Sequence, residues 1–213
     1  MRHIELRDHM TILFQGDSIT DCGRREPAYR PMGRGYASIV ATWLGARCPE
    51  QRLTFENRGI SGNRTADLVA RWDQDCLAID PDLVSILVGI NNTLRRYDQN
   101  SPTTPEAFEK EYRTMLTRTR EAGDPVIVVC EPFLLSHPPG IEVMREDLDP
   151  KIYVIRELAR EFGALYIPYD GIFAAASTRA APAYWAEDGV HPTPAGHALM
   201  AQAWMEWVLG RVP

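Results

Sequence analysis

The stretch Thr11-Ile12-Leu13-Phe14-Gln15-Gly16-Asp17-Ser18-Ile19-Thr20 decides the fold. A short apolar run that breaks into Gly and then small polar residues reads as a buried strand feeding a turn. In an open parallel α/β sheet such turns open at the carboxyl ends of the strands, where active sites form. Ser18 would stand there with its hydroxyl exposed. By itself, Gly16-Asp17-Ser18 also reads as a plain turn whose Asp17 and Ser18 cap the next segment. Nor is it the G-x-S-x-G elbow of α/β hydrolases.

Outward from this stretch, four more apolar runs read as strands: Leu53–Asn57, Leu83–Val88, Val126–Cys130 and Leu165–Ile167. Runs that are continuous rather than alternating suit strands covered on both faces. Segments of helical period lie between them. Tyr36–Cys48 carries Tyr36, Ile39, Val40, Trp43 and Leu44, and Thr65–Ile79 carries Leu68, Val69, Trp72 and Cys76. Pro105–Ala122 starts on Thr104 as N-cap with Pro105 in the first turn. Asp149-Pro150 opens a helix to about Phe162 with Gly163 closing it, and the last helix begins near Thr193-Pro194. Tyr97–Pro105 and Phe133–Pro150 read as loops, the second a candidate active-site rim. Strand and helix alternate throughout, which predicts a three-layer α/β/α fold on a parallel five-stranded sheet, with strand order left open by pattern alone. No repeat or linker marks a boundary, so residues 1–213 are expected to form a single domain.

Composition narrows the partners. The 213 residues are 45% hydrophobic and 24% charged, which suits a soluble globular chain. A net charge of −6 argues against nucleic acid, whose phosphates call for basic patches. No apolar run approaches the ~20 residues of a membrane span, and Met1–Met10 lacks the apolar core of a signal peptide. The expectation is a cytoplasmic protein without membrane or nucleic-acid partners. Cys22, Cys48, Cys76 and Cys130 are scattered, with no C-x-x-C unit to signal zinc or redox chemistry.

Acyl transfer by a serine requires a hydroxyl, a base and donors for the oxyanion. Asp188-Gly189-Val190-His191 places a carboxylate three residues before an imidazole, ahead of the last helix. On a tight loop that Asp can accept from the His Nδ1–H, fixing the tautomer. Gly59-Ile60-Ser61-Gly62-Asn63 follows the second strand, where Gly62 lets a backbone N–H approach a substrate oxygen. Gly89-Ile90-Asn91 follows the third, and Asn91 offers an amide at the same sheet edge. Each block read singly is turn chemistry. Turn chemistry does not explain four such loops at one edge, and the joint reading is a serine ester hydrolase.

Gly16-Asp17-Ser18, Gly59-Ile60-Ser61-Gly62-Asn63, Gly89-Ile90-Asn91 and Asp188-Gly189-Val190-His191 resemble, in order, the four blocks of the SGNH (GDSL) hydrolases. The resemblance implies a flavodoxin-like sheet in the order 2-1-3-4-5, with Ser18 as nucleophile, His191 as base and Asp188 as its orienter. It implies an oxyanion hole from the Ser18 and Gly62 N–H groups and the Asn91 amide, and no metal or cofactor. Gly16 through Arg24, with Arg71-Trp72, Pro81-Asp82, Arg96-Tyr97-Asp98 and Trp185, is similar to a bacterial subgroup of acetyl-xylan esterases. That similarity implies an intracellular homo-oligomer, which admits a ring-like assembly, acting on acetylated xylo-oligosaccharides or similar small sugars. A short-chain lipase, thioesterase or arylesterase is the alternative. A phosphate-cradling binding module is a third reading, but it lacks both the G-x-x-x-x-G-K-[ST] and G-x-G-x-x-G signatures.

Asn92 stands where the family commonly has Asp, a change expected to disturb loop bonding rather than chemistry. Asp17, Tyr184 and Trp185 are further candidates for substrate contact, the last two as walls of an acyl pocket or as plain packing. Trp43, Trp72, Trp204 and Trp207 read as core or subunit-interface residues. Arg58 and Arg64 can touch substrate or simply form ion pairs, and His197 reads as structural, not as a metal partner of His191.

Overall fold

A computed structural model describes residues 3–210. The chain runs β1 (Thr11–Gly16), α1 (Ser18–Asp21), α2 (Tyr36–Arg47), β2 (Thr54–Asn57), α3 (Thr65–Asp75) and β3 (Leu83–Leu87). It continues through α4 (Ile90–Asp98), α5 (Pro105–Ala122), β4 (Val126–Cys130), α6 (Arg145–Glu161) and β5 (Leu165–Ile167). It ends with α7 (Tyr169–Ala176), α8 (Pro182–Trp185) and α9 (Pro194–Leu209). The five strands form one parallel sheet in the order β2-β1-β3-β4-β5. This is the order that the family resemblance implies.

Successive side chains of a strand point to opposite faces, so the apolar run in β1 serves two cores. Ile12 and Phe14 pack with Val40 and Leu44 of α2 and with Trp204 and Val208 of α9. Leu13 packs on the other face with Trp72 of α3, Phe108 of α5 and Ile155 of α6. The indoles of Trp72 and Trp204 find acceptors: Trp72 Nε1 donates to Thr119 Oγ1 at 3.0 Å and Trp204 Nε1 to Ser85 Oγ at 3.0 Å. Trp43 differs, being 48% exposed on α2.

The register aligns the strand ends. Phe14 lies beside Asn57, Gly16 beside Leu87, and Leu87 beside Cys130. From β1 the chain crosses first to β2 and then back over to β3, so the strand order reverses between β1 and β3. Outside the carboxyl ends of such a pair lies the crevice where ligands bind in doubly wound sheets.

Three expectations change. α6 starts at Arg145, four residues before Asp149, and carries Pro150 inside it. The loop expected over Phe133–Pro150 therefore closes early, with a 3₁₀ turn at Ile141–Met144. α4 and α7 occupy stretches where polar or small residues gave too thin an apolar period to mark a helix.

Candidate active site

Ser18 is the first residue of α1, a single turn directly after β1. The Asp17 carboxylate caps that turn, its Oδ1 accepting from Ile19 N at 3.0 Å. Asp17 is wholly buried, which corrects its expected contact with substrate: no bound molecule reaches a side chain sealed beneath the turn. Burial pushes its carboxyl up to about 7, against the Ile19 N–H bond and the nearby His191, which pull it down.

The loop before α9 carries the other pair. An antiparallel bridge between Ala186 and Pro192 closes it, and Glu187 N donates to His191 O at 3.2 Å. Asp188 Oδ1 accepts from Val190 N at 3.0 Å and His191 N at 2.7 Å. Its Oδ2 lies 2.6 Å from His191 Nδ1, and His191 Nε2 lies 3.0 Å from Ser18 Oγ. Residues 173 positions apart thus meet in one hydrogen-bonded line. Burial would raise the Asp188 carboxyl, but bonds from the His191 ring and from the two N–H groups outweigh it and hold it at about 2. The same Asp188 bond raises the His191 imidazole above its ordinary 6.5, opposed by partial burial.

The two intervening blocks flank this line. Ser61 donates through N (3.1 Å) and Oγ (2.9 Å) to Asp21 Oδ2. Gly62 follows at φ +83°, a left-handed conformation that suits glycine, with open space where a Cβ would project. Asn91, the second residue of α4, is buried, and its Nδ2 donates to Asn63 O at 3.2 Å, which ties the third block to the second. The contacts of Asp21 and Asn63 are not legible in the sequence. Their roles come from bonds across many residues, which spacing does not reveal.

A cleft of about 700 Å³ opens over Ser18 and His191, with Asp21, Arg25, Glu26 and Arg34 in its walls. Tyr184 and Trp185 do not wall it. Trp185 is buried in the core, Tyr184 stands exposed with the two rings edge to face at 4.9 Å, and Thr193 ties down both their carbonyls. Arg58 pairs with Glu56 at 3.2 Å, and Arg64 donates to Ser101 Oγ at 3.1 Å. His197 accepts from Tyr36 N through Nδ1 at 3.2 Å, and burial pushes it down to about 4. Among the described residues no group of three or more His, Cys, Asp or Glu side chains could hold a metal ion. None of the described helices is long and apolar enough to cross a membrane.

The expected disturbance at Asn92 is corrected. Asn92 Nδ2 donates to Thr65 Oγ1 at 2.9 Å and Thr103 Oγ1 at 3.2 Å, and its Oδ1 accepts from Thr65 N at 3.2 Å. Thr65 spends its own hydroxyl proton on Glu111, so it requires a donor, which an amide supplies and a carboxylate does not.

Residues 14–199 match the GDSL-like lipase/acylhydrolase family. The chain is 36% identical over 214 residues to an acetylxylan esterase of Geobacillus stearothermophilus, covering 94% of this chain and 96% of that one. Among solved structures, it is similar to Axe2, an acetylxylan esterase from Geobacillus stearothermophilus, at 33% identity and TM-score 0.85, covering 98% and 100% of the two chains. It is also similar to a protein from Parabacteroides merdae with a provisional GDSL-like lipase assignment, at 38% identity and TM-score 0.91, covering 96% and 98%.

Proposed function

We propose, since the chain belongs to the GDSL-like lipase/acylhydrolase family and is a carboxylic ester hydrolase, that it removes O-acetyl groups from small carbohydrate esters. Ser18 acts as nucleophile, His191 as general base and Asp188 as the group that orients it. The observation that carries this reading is the continuous line from Ser18 Oγ through His191 to Asp188, at 3.0 and 2.6 Å.

The chemistry follows from proton placement. An ionised Asp188 accepts from Nδ1–H, so the Nε2 lone pair of neutral His191 faces the Ser18 hydroxyl. As Oγ attacks the ester carbonyl, Nε2 takes its proton. The negative charge that develops on the carbonyl oxygen meets donors from Ser18 N–H, Gly62 N–H and the Asn91 amide, each worth about 10²–10³ in kcat. The imidazolium then protonates the leaving sugar oxygen, giving an acetyl-enzyme on Ser18. Water, deprotonated by His191, releases acetate and restores the serine.

The cleft supports a polar alcohol portion rather than a long acyl chain. Its charged walls, Asp21, Arg25, Glu26 and Arg34, offer donors and acceptors that match sugar hydroxyls. The acetylxylan esterase relatives support the same substrate class. Acetate release from acetylated xylo-oligosaccharides, measured beside p-nitrophenyl acetate and octanoate, tests it. The sugar ester and the acetate should turn over and the octanoate lag far behind; faster octanoate cleavage would favour a lipase-type role. Ser18→Ala should lower kcat on the acetate by about 10⁶.

A further inference from the structure

Arg71 lies outside the proposed triad and outside the cleft walls, yet it is only 14% exposed and touches the exits of two strands at once. Its Nη2 donates to Gly16 O at 3.2 Å, the last residue of β1 before Asp17 and Ser18. Its Nη1 donates to Arg58 O at 2.8 Å, one residue past β2, and to Asp75 Oδ2 at 2.9 Å one turn along α3. Its Nε donates to Asn63 Oδ1 at 2.9 Å. A planar guanidinium presents donors in a fixed fork, so these four bonds set four groups relative to one another.

Asn63 passes that order on. Its carbonyl accepts from Asn91 Nδ2 at 3.2 Å, and its N–H donates to Ile60 O at 3.1 Å. At its other end Asn91 Oδ1 accepts from Arg95 Nη2 at 3.3 Å, which decides which end of the amide is oxygen and which nitrogen. One Nδ2 hydrogen is then spent on Asn63 and the other is left to give. Gly62 has no side chain with which to anchor itself. The direction of its N–H is set by its neighbours: Ser61, held by Asp21, and Asn63, held by Arg71.

We propose that Arg71 is a positioning residue for ester cleavage: acting through Asn63, it aims the Gly62 N–H and the Asn91 amide at the oxygen that becomes negatively charged. The inference deepens the oxyanion assignment and rests on it. Stabilisation of a developing charge depends on donors already in place, and a displacement on the order of 1 Å costs about 10²-fold. The substrate-binding walls of the cleft do not involve Arg71, so the loss falls on kcat and not on KM.

Steady-state kinetics on p-nitrophenyl acetate tests this with Arg71→Lys, Asn63→Ala and Asn91→Ala, singly and as double variants, each checked for native circular dichroism. Asn63→Ala removes the Arg71 Nε contact while leaving the other three guanidinium bonds intact, so it stands even where Arg71→Lys fails to fold. Arg71→Lys and Asn63→Ala should each lower kcat roughly 10- to 100-fold with KM within about twofold. Each effect should shrink in the Asn91→Ala background, where only the Gly62 share remains, as expected of residues acting as a unit. A kcat within twofold of the parent for folded Asn63→Ala, or losses that multiply in full with Asn91→Ala, would overturn the role of Arg71 alone. An unchanged kcat in Asn91→Ala by itself would overturn the oxyanion assignment beneath it, and the proposal with it.

Discussion

The two halves of the proposed site are held by opposite means. The Ser18 turn grows directly out of the sheet. Gly16 lies in register with Leu87, Asp17 is buried under the turn, Arg71 bonds to the Gly16 carbonyl before it and Asn57 to the Thr20 carbonyl within it. The Asp188–His191 loop holds its Asp188 and His191 side chains half in solvent, 53% and 51% exposed, and most of its bonds are made among residues two to four apart, with Leu135 N donating to Gly189 O at 2.9 Å from outside. One half is positioned by the core and the other mainly by bonds within its own loop. The nucleophile side can therefore be disturbed only through the fold, while the base side can be disturbed with the fold intact.

The sharpest way to break this contrast is at the exposed half. Asp188→Asn keeps the side-chain shape but turns the charge into an amide that no longer dictates the His191 tautomer. A loss of about 10⁴ in kcat is expected, with the melting temperature little changed. The pH profile should move with it. His191 must be neutral to act as base, so kcat/KM of the parent rises with pH through a midpoint above 6.5, and the variant's midpoint falls. A midpoint that stays put would break the link between the two residues.

Two glycines compare the halves directly. A Cβ on Gly16 would meet Leu87 O at 2.3 Å, inside the sheet, so Gly16→Ala should lower thermal stability and soluble yield together. A Cβ on Gly189 would meet His137 O at 2.1 Å at φ +85°, so Gly189→Ala should push the loop off its support. Activity should fall about 10²-fold while the melting curve moves by a smaller margin than for Gly16→Ala. The reverse ranking would show that the exposed loop, too, is part of the core.

The smallest effect concerns Asp17. Its folded carboxyl, near 7, binds a proton more tightly than the unfolded one at its ordinary 3.8. Its contribution is therefore most favourable below 3.8 and declines as pH rises towards 7. Asp17→Asn keeps an acceptor for Ile19 N and removes the titration. Urea melts should show the variant gaining on the parent steadily between pH 4 and 7 and levelling off above. Parallel curves would mean that the buried carboxyl is compensated by other groups.

How much of this was written in the sequence depends on the range of the contacts. The apolar runs of β1, β3 and β4 mark strands because both faces of each are covered. Thr104 and Thr193 mark helix starts because their hydroxyls cap within three residues. Asp188 and His191 are legible for the same reason, since a D-x-x-H loop folds on itself. Pro150 misleads, because it reads as the opening of a helix that had already begun at Arg145. Asp17 misleads in another way: nothing in Gly-Asp-Ser says that the carboxylate turns inward. The brace of Arg71 on Gly16, Arg58 and Asn63 is invisible in the sequence, since it exists only once the ends of β1 and β2 lie side by side.

The span of 173 residues between hydroxyl and imidazole has a consequence for biosynthesis. The serine leaves the ribosome long before its proposed proton acceptor, which lies just ahead of the helix that packs against α2 and whose Val208 carbonyl receives the Ile4 N–H at 2.9 Å. A nascent chain can lay down most of the sheet while its alcohol stays inert. Under the proposed mechanism the first cleaved ester therefore signals that α9 has docked, so turnover doubles as a report of maturation.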